Sequence, residues 1–104
     1  MKKRKLIIPI GGLNYEVIFI NPKKCKRLRN KEYDAFGHID YSVNKIWIDN
    51  TLSASNKNFV LLHEILHGCF SSLGQNSNEK TIRPLSHMIG RAIEEGIKKK
   101  ILKY

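Results

Sequence analysis

Cysteine, proline, tryptophan and acidic side chains are all scarce in this 104-residue chain, which has two Cys, three Pro, one Trp and nine Asp or Glu. Cys25 lies in a lysine-rich segment, Cys69 lies in an apolar run, and neither belongs to a CxxC pair. That usage argues against a disulfide framework and assigns Cys69 to core packing. A membrane-length apolar run is also lacking, because Pro9, Gly11-Gly12 or Glu and His residues interrupt every apolar stretch well before about 18 residues. No membrane partner is expected. Met1-Lys2-Lys3-Arg4-Lys5 imitates the charged start of a signal peptide, but the apolar stretch Leu6 to Ile10 is too short and contains Pro9. A cytoplasmic location is the expectation.

The shortage of acids leaves a formal net charge of +10, concentrated at Lys2 to Lys5, Lys23 to Lys31 and Lys98 to Lys103. Such a surface attracts nucleic acid without regard to sequence. Two of these clusters are terminal and the third falls in a loop-like segment, so solvated charge is the plainer reading and nucleic acid is not the favoured partner.

The length and the 41% hydrophobic content suit one domain spanning 1–104. Leu6 to Ile10 and Tyr15 to Ile20 read as strands joined through Gly11-Gly12-Leu13-Asn14, where glycines take positive backbone angles. From Asn21-Pro22 to Asp34 no apolar period is sustained, which predicts a basic surface loop with at most a helical turn. Phe36 to Tyr41 and Lys45 to Asp49 flank Ser42-Val43-Asn44 as a second hairpin. Thr, Ser and Asn residues over 50–55 are good caps for a helix starting near Ser55 or Asn56 and stopping at Gly74. Its stripe of Phe59, Leu62, Leu66, Phe70 and Leu73, with Leu61 and Ile65 opposite, predicts burial between the sheet and a last helix. That last helix runs from Glu79 to about Lys100 through Ile82, Leu85, Ile89, Ala92, Ile93 and Ile97, although Pro84 suggests a regular start only at Arg83. The fold class is therefore α+β: a small antiparallel sheet of about four strands with two C-terminal helices.

Chemistry concentrates in His63-Glu64-Ile65-Leu66-His67 on the first of these helices. Two histidines four apart stand on neighbouring turns and converge on one ion, with zinc the metal such a pair suits. Glu64 is rotated by about 100° from His63, so it reaches a water at the metal rather than the metal itself and serves as general base. A chance match to this pattern in so short a chain has a frequency on the order of a few in a thousand, so the signal is specific. Two buried imidazoles and a buried carboxylate would otherwise need costly satisfaction.

A catalytic zinc wants a third protein ligand and one open position. Glu79 and His87 are the candidates, and the helical projection brings Glu79 nearer the apolar face. Arg83 and His87 follow Glu79 at four-residue steps and suit either an oxyanion-stabilising role or a plain surface ridge. His38 and Asp40 alternate on a strand and point either into the cleft or into solvent as its wet face.

Phe59 to Gly68 around the motif, a linker, and Asn78-Glu79-Lys80 opening a second helix resemble the small gluzincin-like metallopeptidases of phage and prophage genomes. These are similar to the ImmA/IrrE-type metallopeptidase domain, and the likeness covers roughly residues 36–97. It implies a minimal zincin-like core and a zinc ligand set of His63, His67 and Glu79, with Glu64 catalytic. It departs from that pattern in being short and in having Lys80-Thr81-Ile82 where Glu-x-x-Ala would continue. SprT-like proteases also carry HExxH and would use a third histidine, for which His87 is the available residue, but no zinc-ribbon cysteines follow it. The functional expectation is a zinc-dependent peptidase acting on a peptide or protein. The alternative is a catalytically silent, metal-stabilised binding module or phage regulator that contacts DNA or a host protein. A structural zinc site would want four protein ligands and no adjacent carboxylate, which favours the peptidase.

Overall fold

Residues 5–29 and 36–102 are described by the computed structural model; Lys2 to Arg4, the end of the basic segment from Asn30 to Asp34, and Lys103 lie outside them. Strand β1 (Leu6–Ile10) turns into β2 (Leu13–Ile20) through Gly11 and Gly12, with φ of 58° and 83°. Ile10 pairs with Leu13, so the turn has two residues rather than four and β2 starts two residues earlier than its apolar run. Positive φ at both central residues matches the right-handed twist of the flanking strands, which is why two glycines stand here.

After a 3-10 turn over Pro22–Lys24 comes a single helical turn, α1 (Lys26–Arg29). Strands β3 (Gly37–Asp40) and β4 (Lys45–Asp49) form the second hairpin, closed by Asp40, whose Oδ1 accepts from Ser42 N at 2.9 Å and Ser42 Oγ at 2.6 Å. These bonds from Ser42, with Arg27 in support, hold the Asp40 carboxyl below its ordinary range.

The sheet order is β1-β2-β4-β3, with β2 and β4 parallel. The α+β architecture stands, but the sheet is mixed rather than purely antiparallel. Burial explains the difference. Ile46, Trp47, Ile48 and Asp49 of β4 are all buried, so this strand needs neighbours on both edges and cover on both faces. The connection out of β2 carries the chain past β4 to place Gly-His-Ile-Asp, the shorter and more polar strand, at the edge.

Two cores result. Ile10, Tyr15, Val17, Ile39, Ile46 and Ile48 face α2 (Ala54–Ser72), while Trp47 packs with Cys25 and Leu28 on the opposite face. Helix α2 meets the sheet through Val60, Leu61, Ile65 and Cys69. This side differs from the expected stripe: Leu73 is 74% exposed, because the stripe runs off the end of the helix beyond the sheet. Gly68 lets α2 sit close, since a Cβ there would lie 3.2 Å from side-chain carbons of Ile10 and Ile39. Ser53 caps the helix start, accepting from Asn56 N at 3.2 Å. Gly74, with φ of 69°, ends it: Gln75 N donates to Phe70 O and Gly74 N to Ser71 O, the paired bonds of a glycine C-cap.

Helix α3 (Glu79–Lys98) packs on the other side of α2, as the apolar periodicity anticipates. Its inner face holds Ile82, Ser86 and Gly90, all buried, whereas Ala92 is exposed. A Cβ at Gly90 would come within 2.5 Å of Phe59 Cε1, so the small residue sets the approach of the two helices. Asn78 caps α3 by accepting from Thr81 N at 3.0 Å. The helix is regular from Glu79 through Pro84, so Glu79 occupies the first turn of α3 itself and not a separate turn before it. Among the described residues no helix is long and apolar enough to cross a membrane.

Candidate metal centre

His63 and His67 lie one turn apart on α2 and turn the same ring nitrogen to a common point. Their Nε2 atoms are 3.2 Å apart. Glu79, at the N-terminus of α3, spans both: Oε2 is 3.0 Å from His63 Nε2 and Oε1 is 2.8 Å from His67 Nε2. The donor atoms of these three residues all come within 4.8 Å of one another, a grouping able to hold a metal ion. A negative side chain in the first turn of α3 is also favoured by the helix dipole.

The fit to a metal can be tested on this geometry. Ligand nitrogens about 2.0–2.1 Å from a tetrahedral ion lie about 3.3 Å from each other, close to the spacing found between the two imidazoles. The protonation of His63 and Glu79 suits a ligand role. Burial pushes the His63 pKa down, against the pull of the Glu79 charge, so the ring favours its neutral form. Burial alone would raise Glu79, but His63 and the hydrogen bonds from both imidazoles outweigh it and hold the carboxyl below its ordinary range. Two neutral imidazoles and an ionised carboxylate form the donor set of many catalytic zinc sites.

Ser77, in the linker between the helices, completes the orientation of His67. Its Oγ lies 2.8 Å from Nδ1, so with an ion bound the tautomer with Nδ1–H donating to Ser77 would leave the Nε2 lone pair for the metal. Nothing local in Gln75-Asn76-Ser77-Asn78 distinguishes this serine from its polar neighbours; only closure of α3 onto α2 brings it to His67. Ser77→Ala is expected to weaken metal binding by about 10-fold or more with little loss of fold stability. Competition with a chromophoric chelator measures this, and an unchanged affinity would remove Ser77 from the site.

Glu64 stands on the sheet side of α2 and is only 6% exposed. It lies against Gly37 of β3, where a Cβ would sit 3.2 Å from Glu64 Oε2 and 2.6 Å from Val60 Cγ1. A side chain at position 37 would therefore press on the carboxylate, a steric role for Gly37 that strand periodicity does not signal. Tyr41, just past β3, is a third residue, after Ser77 and Gly37, that sequence reasoning missed. Burial and then the Glu64 charge push its phenol pKa up, while a hydrogen bond with Ser77 pulls it down, so the hydroxyl belongs to the same polar cluster.

The group opens into a cleft of about 1180 Å³ between β3, α2 and α3. Of the two candidates for a third donor, Glu79 joins the histidines. His87 lines the cleft farther along α3 with its ring 5.5 Å from Phe59, outside the donor group. Arg83 also lines the cleft, its Nη2 3.7 Å from Glu79 Oε2. His38 and Asp40 share a side of β3, as their alternation requires, but it is the side facing α1. The His38 ring stands 6.2 Å from Trp47 while the residue also lines the cleft, and Asp40 pairs with Arg27 at 3.4 Å. Trp47 also carries the Arg27 guanidinium 4.1 Å above its ring centre.

None of the protein-family models, curated proteins or solved structures compared with this chain matches it.

Proposed function

We propose that this chain is a zinc-dependent metallopeptidase. One observation carries the reading: two imidazoles and a carboxylate converge within 4.8 Å at an open cleft, and a second, buried carboxylate, Glu64, stands beside them in the HExxH register. His63, His67 and Glu79 would hold the ion. Three protein donors leave a coordination position open, as hydrolytic zinc sites require and structural ones do not. When bound, zinc supplies Lewis-acid polarisation of a carbonyl oxygen and lowers the pKa of water at the open position to about 7.

The remaining work falls to the chain's own side chains. Glu64 accepts a proton from the attacking water and delivers it to the departing amine nitrogen, so one carboxylate serves first as base and then as acid. Its position against Gly37 restricts where its oxygens can go. With the ion bound, Ser77 would accept from His67 Nδ1–H and hold the ring in that tautomer. The outer edge of β3 borders the cleft, and an extended peptide pairing there by main-chain hydrogen bonds would pass the donor group.

The test is direct. Zinc-loaded protein and chelator-stripped protein are incubated with a mixed peptide library, and new termini are counted by mass spectrometry. Cleavage by the loaded form, its loss on stripping and its return with zinc are expected. Binding of zinc without cleavage of any peptide would instead favour a metal-stabilised binding module.

A further inference from the structure

We infer that the cleft selects acidic peptides, with Lys80 and Arg83 of α3 receiving Asp or Glu side chains close to the metal centre. The cleavage part of this inference rests on the peptidase reading; the binding part does not. Lys80, Arg83 and His87 follow one another at three- and four-residue steps, so they share one face of α3, and all three line the cleft with exposed side chains.

Among the described residues, the acids lining the same cleft are Glu64 and Glu79. Both are committed. Glu64 is buried beside Gly37, and the two oxygens of Glu79 are taken by the imidazoles at 3.0 and 2.8 Å. Arg83 reaches Glu79 only at 3.7 Å and stays 66% exposed, while no acidic partner within ion-pair distance is found for Lys80 among the described residues. The two cations offset the two carboxylates, so a bound divalent ion would leave the lining with a net positive charge of about two. A cleft of one sign between low-dielectric walls focuses its field on whatever enters, and the +10 charge of the chain acts in the same direction.

Peptide is favoured over nucleic acid by the opposite wall. Phe36, Gly37, Ile39 and Val60 give it apolar surface, broken by His38 and Tyr41, and place the edge strand along it. An extended peptide on that edge sends alternate side chains to the same side, where the α3 cations stand. A groove for nucleic acid would instead need cations spaced along a backbone path.

Binding is measured with zinc-loaded Glu64→Gln protein and three fluorescent octapeptide pools that differ only in a fixed pair of Glu, Gln or Lys residues. The Glu pool is expected to bind about 3–10-fold more tightly than the Gln pool, and the Lys pool more weakly than either. The advantage should shrink when salt rises from ~0.05 to ~0.5 M. Lys80→Glu combined with Arg83→Gln should abolish or invert the preference while zinc content and melting midpoint hold. Equal binding of the pools, no binding of any pool, or a preference that survives the double substitution would overturn the inference. So would a short oligothymidine that displaces the Glu pool at lower concentration than unlabelled Glu peptide. Cleavage of the same pools by the zinc-loaded wild-type protein separates the two readings. Acid-selective binding without cleavage sinks the peptidase alone, and cleavage without charge preference sinks the acid selectivity alone.

Discussion

Glu64→Gln is expected to lower peptide hydrolysis by about 10²–10⁴-fold, the range for removing a positioned general base, while the protein keeps its zinc. The amide matches the carboxylate in shape, so the crowded position beside Gly37 and Val60 accepts it. It cannot take a proton from water at neutral pH, and that step alone is lost. Zinc content, melting midpoint and turnover must be measured on one preparation. Activity lost together with zinc would make Glu64 a positioning residue for the ligands, and activity retained would transfer the base role to another group in the cleft. Tyr41 is the first residue to examine in that case, since it shares the polar cluster with Glu64 and Ser77.

Zinc removal is expected to produce the largest stability change. A ligand present at about a thousand times its Kd, and bound only by the folded chain, adds about 4 kcal/mol. For a domain near 100 residues this corresponds to a rise in melting midpoint on the order of 15–30 °C. His67→Ala removes one donor from the group and strands Ser77, so its midpoint should barely respond to zinc at a concentration that saturates the wild type. Glu79→Gln keeps the helix but loses the ionised donor, and an intermediate response is expected. Equal stabilisation of wild type and His67→Ala would show that zinc binds elsewhere and would sink the ligand assignment. Scanning calorimetry with and without zinc settles the comparison for all three proteins.

The identity of the third donor shows how the two kinds of information combine. Helical projection of the last segment leaves both Glu79 and His87 open, because Pro84 obscures where the regular helix begins. Asn78 resolves this: its cap on Thr81 N starts α3 at Glu79, and the proline is absorbed within the helix. Glu79 then faces His63 and His67 on α2, while His87 is carried two turns along to Phe59.

What the sequence by itself determined is the part governed by contacts a few residues apart. The HExxH spacing puts His63 and His67 on adjacent turns whatever surrounds them, Gly74 ends α2 through its positive φ, and Gly11-Gly12 closes the first hairpin. The alternation in Lys45 to Asp49 and the periodicity after Asn78 specify a strand and a helix for the same local reason. Tertiary structure decided what depends on residues far apart in the chain. It set β4 rather than β3 beside β2, because the all-buried strand gains most from the middle of the sheet. Long-range packing likewise chose Val60, Leu61, Ile65 and Cys69 as the side of α2 that meets the sheet, although Leu62, Leu66 and Phe70 are as apolar. It also brought Gly37, Tyr41 and Ser77 to Glu64 and His67: a short side chain carries no periodic signal, and its role exists only once strand and helices close around it.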